Sequence, residues 1–255
     1  YEGGRKVISF CGVLQHGLFP LPTLLQMSQK LGADEMRRPV EIEFACNLYN
    51  NGGQEVRGDF FLLQIRPIVD SKQVLEEDLK QIPDADCLLR SHNSLGHGIS
   101  EDVVDVVYVK ADEDFTAANN PQIAVEIEQM NRKFLDAGKN YILVGPGRWG
   151  SSDYWLGIPV KWPHISAARV IVEAGLKNYH VDPSQGTHFF QNLTSFGVGY
   201  FTINTYTGDG VFQQDVLDAM PAIEETVHVR HVRFERPLKV MMDGKKQEGV
   251  VLLPQ

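Results

Sequence analysis

Glu41, Glu43, Gln64 and Arg66 are the residues whose types and spacing point most directly to chemistry. They lie in two β-rich stretches, "VEIEFACNLY" and "DFFLLQIRPIV", with Asn50, Asn51, Gly52 and Gly53 between them. That intervening composition is a turn signal, so the two stretches read as a long hairpin ended by Pro67. Successive strand side chains point to opposite faces. Glu41 and Glu43 therefore share one face, with Ile42 and Phe44 on the other. In the second stretch Gln64 and Arg66 share one face, with Leu63 and Ile65 on the other. If the apolar sides coincide, two carboxylates, an amide and a guanidinium are displayed together. Carboxylate and amide oxygens suit Mg²⁺, which bridges to substrate phosphates, and a guanidinium matches phosphate oxygens. A charged outer face is also the ordinary state of an antiparallel sheet with one wet side. The alternation alone leaves both readings open.

A second candidate is "GPGRWGSS", Gly145 to Ser152, directly after the apolar run "YILV". It lacks the spacing and the Lys of a Walker loop. Gly145, Gly147 and Gly150 fit G-x-G-x-x-G, but "SSDYWLGIPV" follows, which is loop-like where the dinucleotide motif should open a helix. Backbone amides with Arg148, Ser151 and Ser152 form one candidate anion site. The alternative is a turn pinned by Trp149 and Trp155. His188, in "SQGTHFF", is either a base or phosphoryl acceptor, or a helix-start His beside a Ser184 or Thr187 cap. Arg148, Asp153 and His188 are candidates for one polar cluster. His164, in "WPHIS", has the same two readings as His188. His92 and His97, in "SHNSLGHG", read as part of a turn, with a phospho-His loop as the alternative. In "HVRHVR", His228 and His231 fall on opposite strand faces, poorly placed for one metal. The accompanying Arg230, Arg233 and Arg236 read as a solvated strand face or a docking surface.

The elements that must position these residues follow from periodicity and punctuation. Residues 5–14, "RKVISFCGVL", read as a buried strand. "FPLPTLLQMSQKLGA" reads as a helix with Pro22 in its first turn and Gly32 at its end. Residues 70–85 read as a short polar helix and a break, marking a domain boundary. "DVVDVVYVK" and "NYILVG" are predicted strands. Between them "NPQIAVEIEQMNRKFLDAG" is a predicted helix with an apolar stripe of Ile123, Ile127, Met130 and Phe134, stopped by Gly138. "ISAARVIVEAG" and "GTHFFQNLTSFG" are predicted helices, "VGYFTINT" a strand and "GDGVFQQDVLDAM" a short helix. The β-rich end has a tight turn expected at Asp243-Gly244.

Bulk properties narrow the function classes. The net charge of −9 over 255 residues, without a local basic patch, argues against a nucleic-acid partner. Cys11, Cys46 and Cys87 are odd in number and far apart. That usage suits a reducing compartment, so a cytoplasmic location is expected, with neither a disulfide framework nor a zinc site. No apolar run approaches membrane-spanning length, and no membrane partner is expected. The first residue, Tyr1, is not an initiator methionine, and the chain is expected to be a piece of a longer one.

"PVEIEFACN" followed by "DFFLLQIRPIV" resembles the end of the ATP-grasp nucleotide-binding domain of phosphoenolpyruvate synthases and pyruvate phosphate dikinases. There a D-I-E-[WF]-A strand precedes an L-Q-x-R-P strand. The resemblance implies that Glu43 and Gln64 help bind Mg²⁺–ATP and that Arg66 contacts the phosphates. Glu41 stands where the family often has Asp. The likeness spans residues 1–70. The family's glycine-rich phosphate loop, ATP-anchoring Lys and Arg, G-G-x-[ST]-x-H-A-A loop and pyruvate-binding barrel are not found in the chain. It therefore implies a C-terminal fragment of an ATP-dependent phosphotransferase, inactive alone, with the N-terminal remainder of the parent protein as its partner. "ILVGPGRWGSSDYWLGIPV", "ARVIVE" and "SQGTHFF" resemble the C-terminal region of large bacterial proteins of the pyruvate-phosphate-dikinase-like kind. That likeness supplies no role for residues 86–255. They are expected to form either a regulatory module binding a small phosphorylated or carboxylate metabolite, or a structural docking domain. The expected fold is thus α/β (or α+β). The end of an ATP-grasp domain (strand, helix, β-hairpin) spans 1–70, a linker helix 71–85, and a mixed α/β domain 86–255.

Overall fold

The computed structural model describes residues 10–36, 40–49, 56–67, 78–111, 115–176, 179, 193 and 197–254. The fold is mixed α/β and dominated by strands. The chain divides into two compact units, Tyr1–Asp70 and Ser71–Gln255. The expected strand over residues 5–9 and the expected helix over residues 186–197, apart from Leu193 and Gly197, lie outside the described residues, as do residues 70–77.

In the first unit, Cys11–Leu14 forms one helical turn, α1, where a strand was expected. The Phe10 carbonyl accepts from the amides of Val13 and Leu14, at 3.1 and 2.9 Å. Phe10 and Leu14 are exposed. A short apolar run folds as a strand only when a neighbouring strand takes its hydrogen bonds, and this run has instead bonded locally.

Helix α2 spans Leu21–Met36. Pro22 sits in its first turn, where a missing amide costs nothing. The helix continues through Gly32, which the sequence suggested as its end. The glycine serves packing there. A β-carbon at Gly32 would collide with the Ile65 side chain and lie 3.1 Å from Val40 Cγ2. Strands β1, Val40–Tyr49, and β2, Arg57–Pro67, form the predicted antiparallel hairpin.

The second unit is built, among the described residues, on a ten-stranded sheet. In chain order its members are β3 (Cys87–Ser91), β4 (Ser94–Leu95), β5 (His97–Val109), β6 (Tyr141–Pro146), β9 (Ala168–Ala174), β10 (Gly199–Ile203), β11 (Val211–Phe212), β12 (Ala222–Glu225), β13 (Val229–Asp243) and β14 (Glu248–Leu252). The pair β7 (Arg148–Trp149) and β8 (Gly157–Ile158) stands apart. The sheet order is β11-β3-β14-β13-β5-β6-β9-β10-β4, with β12 added on β13. Strands β5, β6, β9 and β10 run parallel, and antiparallel strands flank them.

Only His92 and Asn93 separate β3 from β4, yet the two lie near opposite ends of that order. The sheet is therefore curled until its ends meet. Ser91 Oγ donates to the Thr202 carbonyl at 2.6 Å, and the Thr202 amide donates to the Asn93 carbonyl at 3.2 Å.

Helix α3, Asn120–Asp136, crosses from β5 to β6 with Pro121 in its first turn. The predicted stripe Ile123, Ile127, Met130 and Phe134 is buried against Val107, Tyr141, Leu143, Ile171 and Tyr200. The opposite face of the same strands turns Val106, Ile142, Val144, Val170, Val172 and Phe201 into the curl, where they meet Val240, Met242 and Val251. Both faces of β6 and β9 are thus buried, which explains their unbroken apolar runs. The same fact corrects the expected helix over "ISAARVIVEAG", whose core is strand β9. A short buried apolar run has no distinguishing period, and β-branched Val170, Ile171 and Val172 favour the strand.

A short helix, α4, spans Gln214–Asp218 within the expected helix over "GDGVFQQDVLDAM", of which Val211–Phe212 is strand β11 instead, paired with β3. The β13–β14 connection is a four-residue turn, Gly244–Gln247, in place of the two-residue turn expected at Asp243-Gly244. Asp243 Oδ1 accepts the amides of Lys245 and Lys246 there.

The described part of the expected linker belongs to this unit. Leu79 is buried with Cys87, Met241 and Val250. Buried Arg90 reaches Asp84 Oδ1 at 2.6 Å and donates to the carbonyls of Leu79 and Ile82.

The "HVRHVR" stretch is also more buried than expected. Asp105 of β5, 1% exposed, faces His231 Nε2 at 2.6 Å and Arg233 Nε at 2.7 Å. Arg230 is half-buried and donates to the Met220 carbonyl, while Arg233 and Arg236 keep the expected exposed positions. Burial pushes the Asp105 carboxyl up, but hydrogen bonds from His231 and Arg233 outweigh it and hold the group below its ordinary value of 3.8. A depressed carboxyl stabilises the fold above its unfolded value and loses that contribution as pH falls through its folded value. Asp105→Asn is expected to cost about 2–3 kcal/mol at neutral pH. Urea unfolding of wild type and variant should show this gap above about pH 5 and a narrowing gap below 3.8. A gap that stays constant into acid would refute the assignment.

Candidate functional site

The hairpin of the first unit brings its four chemical positions together. The register sets Glu41 opposite Arg66 and Glu43 opposite Gln64, with Ile42 opposite Ile65 between them. Directly opposed residues share a face, so the four positions form two adjacent pairs on the side away from Ile42 and Ile65. Glu41, Glu43 and Gln64 are exposed.

One detail differs from simple alternation. The register shifts between Glu43 and Phe44, so that Phe44 pairs with Leu62 and Leu63 becomes the extra residue of a bulge. Leu63 is exposed, as are Phe61 and Leu62, and Leu62 takes the place opposite Phe44. A bulge sharpens the local strand twist and re-aims the side chains beside it. Here those neighbours are Glu43 and Gln64.

The "GPGRWGSS" loop is organised around one buried indole. Trp149 is 1% exposed. Its ring lies over Gly145, where any β-carbon would collide with it. Its Nε1–H donates to the Val172 carbonyl at 2.9 Å, and its backbone amide donates to Glu173 Oε1 at 3.0 Å. The neighbouring amides are also used: Arg148 donates to the Leu156 carbonyl and Gly150 to that of Ile158. Three successive amides are therefore occupied within the protein and do not form an anion cradle. Ser151 Oγ donates to the Asp153 carbonyl at 2.7 Å, and Ser152 is exposed. The expected pinning by two tryptophans reduces to Trp149, because the Trp155 ring is exposed. His188 lies outside the described residues.

Arg148 is the member of that set that faces a cleft. A cavity of about 460 Å³ opens where β6, β9 and β10 end, lined among others by Arg148, Glu173, Tyr179, Thr202, Asn204 and Asp209. The carboxyl ends of parallel strands are the usual ligand side of such sheets. Glu173, 5% exposed, sits at the end of β9, with Oε1 accepting from Trp149 and Oε2 accepting the Tyr200 hydroxyl at 2.7 Å. Tyr179 donates to the Trp155 carbonyl at 2.8 Å, and burial pushes its phenol up.

Sequence reasoning missed Glu173 because its segment was taken as a helix, where a glutamate near the end is unremarkable. Read as a strand, "RVIVEAG" has a charge closing a run buried on both faces. That is the signal that would have found it.

Of the other candidate histidines, His92, His97 and His164 have neighbours close by in the second unit. His92 Nδ1 is 2.9 Å from Glu248 Oε2, His97 faces Asp243, and His164 Nδ1 accepts the Lys161 amide. Among the described residues no group of three or more His, Cys, Asp or Glu converges to hold a metal ion, and no helix is long and apolar enough to cross a membrane. Comparison with protein-family models, curated proteins and solved structures finds no match to the chain.

The loop depends on Trp149, and two substitutions separate its contributions. Trp149→Ala is expected to cost about 3–5 kcal/mol through the cavity it leaves. Trp149→Phe keeps most of the volume and loses one buried hydrogen bond, a cost of about 1–2 kcal/mol. Chemical denaturation of both variants checks the order, and equal small losses would mean that the indole does not organise the loop.

Proposed function

We propose that the first unit supplies the magnesium- and phosphate-binding end of a nucleotide site in an ATP-dependent phosphotransferase, of the kind seen in phosphoenolpyruvate synthases and pyruvate phosphate dikinases. The observation that carries this reading is the hairpin register, which makes Glu41–Arg66 and Glu43–Gln64 adjacent cross-strand pairs. Hard oxygen donors beside a guanidinium position are what a magnesium-bound triphosphate requires.

In this reading the Glu43 carboxylate and the Gln64 amide oxygen hold Mg²⁺. The ion, when bound, neutralises phosphate charge. Arg66 adds a fixed positive charge where charge builds on the transferring group. Glu41 stands opposite Arg66 in the strand register. Exposed apolar side chains of this unit fit a role with additional protein around it. Met27, Leu31, Phe61 and Leu63 are all exposed large apolar residues, more than an isolated surface hairpin and helix usually leave bare.

Manganese tests the assignment, because it replaces magnesium and broadens nearby nuclear resonances. With Mn²⁺ and ADP added to the chain, signals of residues 41–44 and 62–66 should broaden more than with Mn²⁺ alone. Glu43→Gln combined with Gln64→Leu should weaken that nucleotide-dependent binding by about tenfold or more, equivalent to losing one good ligand contact. Both substituted side chains are exposed, so the fold should survive, as far-UV circular dichroism would verify. Broadening that ignores nucleotide, or that persists in the double variant, would remove the basis of the proposal.

A further inference from the structure

The cleft at the ends of β6, β9 and β10 has a charge arrangement of its own, independent of the nucleotide reading. Among the described residues its wall carries one guanidinium, Arg148, and two carboxylates, Glu173 and Asp209, with neutral hydrogen-bonding groups that include Asn204, Thr207 and Tyr179. We propose that this cleft binds a small zwitterion, a molecule with a carboxylate and an ammonium group in the manner of an α-amino acid.

The argument is one of complementarity. A simple anion drawn to Arg148 would meet two carboxylates, and a simple cation drawn to those carboxylates would meet a guanidinium. A ligand with both charges satisfies both sides of the wall, and opposed like charges would exclude the others. The groups are also held in place rather than merely present. Glu173 is 5% exposed and anchored by the Trp149 amide and the Tyr200 hydroxyl. Glu173 has a further interaction within the protein as well, and because each carboxylate oxygen can accept more than one hydrogen bond it can take a ligand ammonium in addition. Asp209 sits in the turn after β10, its carbonyl accepting the Asn204 amide at 2.7 Å and its own amide donating to the Asn204 carbonyl at 2.9 Å. Thr207 Oγ1 donates to the Asn204 carbonyl in the same turn. Arg148 interacts within the protein as well, and its five N–H donors allow it to serve a ligand carboxylate in addition. The volume of about 460 Å³ lies within the range of small-molecule sites and leaves room for a side chain beyond the two charged groups.

Thermal unfolding of the full chain against a panel of L-amino acids tests this, with acetate, ammonium, inorganic phosphate and glucose at matched concentration. At least one amino acid at 10-fold its Kd or more should raise Tm by about 2 °C or more, and the four controls should not. Arg148→Ala and Asp209→Asn should each weaken the effective amino acid at least tenfold by calorimetric titration. Asp209 is only partly buried, so Asp209→Asn should keep the unliganded Tm of the wild type. It therefore remains informative if substitution at Arg148 or Glu173 disturbs the loop. The proposal is overturned if no amino acid exceeds the controls, if phosphate or glucose stabilises more than every amino acid, or if Asp209→Asn binds as tightly as wild type.

Discussion

A sheet with two free ends must satisfy them, and in the Ser71–Gln255 unit the two ends satisfy each other. Ser91 Oγ reaches the Thr202 carbonyl, and the Thr202 amide reaches the Asn93 carbonyl. Those contacts join the chain that leaves β3 to strand β10, so the sheet curls rather than lying open. The curl covers part of the β10 edge through the Thr202–Asn93 bond, where a bare edge would invite pairing with other chains. It also produces two distinct cores. One lies inside the curl, around Val170, Phe201 and Val240. The other lies outside it, under α3. The cleft takes its place from the same closure, since Asn93 and Thr202 both line it.

Three buried charges then tie elements of that unit together, each with several partners. Glu173 ties the loop after β6 to β10 through the Trp149 amide and the Tyr200 hydroxyl. Arg90 ties the turns at residues 79–86 to β3 through Asp84 and two carbonyls. Asp105 ties β5 to β13 through His231 and Arg233. A buried charge with one partner is expensive, and a charge with two or three donors or acceptors returns most of that cost as fixed geometry. Glu173 and Asp105 join separate elements of the chain, whereas Arg90 closes a local stretch onto the strand that follows it.

The first unit works on a different principle. Its chemistry is displayed on exposed positions of a hairpin, and the pairing of β1 with β2 decides which groups are neighbours. The bulge at Leu63 preserves the Glu43–Gln64 pairing while the rest of the hairpin shifts by one residue. Without that bulge, keeping the Phe44–Leu62 register along the whole hairpin would set Glu43 opposite Leu63 and Glu41 opposite Ile65. The grouping on which the proposed nucleotide role depends would be lost.

The sequence by itself determined the hairpin, helix α2, helix α3 with its four-residue apolar stripe, strands β5, β6 and β10, and the mixed α/β class. Each of these rests on local information: a period, a proline at a first turn, a glycine past a last one, or a cluster of turn residues. It also picked out Glu43, Gln64, Arg66 and Arg148 as chemically distinct positions. Tertiary structure alone decided the rest. The apolar segment around Val170 became a strand because both of its faces are covered, and no period marks such a run. Residues 11–14 became a helical turn, bonded locally through the Phe10 and Cys11 carbonyls, and no strand among the described residues pairs with them. Gly32, which looks like a helix stop, became a point of close packing against Ile65. "GPGRWGSS", which looks like an anion loop, has its amides at residues 148–150 bonded to Leu156, Glu173 and Ile158. Glu173 and Asp209 joined Arg148 in one cleft only because parallel strands end on the same side. A sequence pattern records which groups a segment offers, whereas long-range pairing determines which of those groups are used up in folding and which are left facing a ligand.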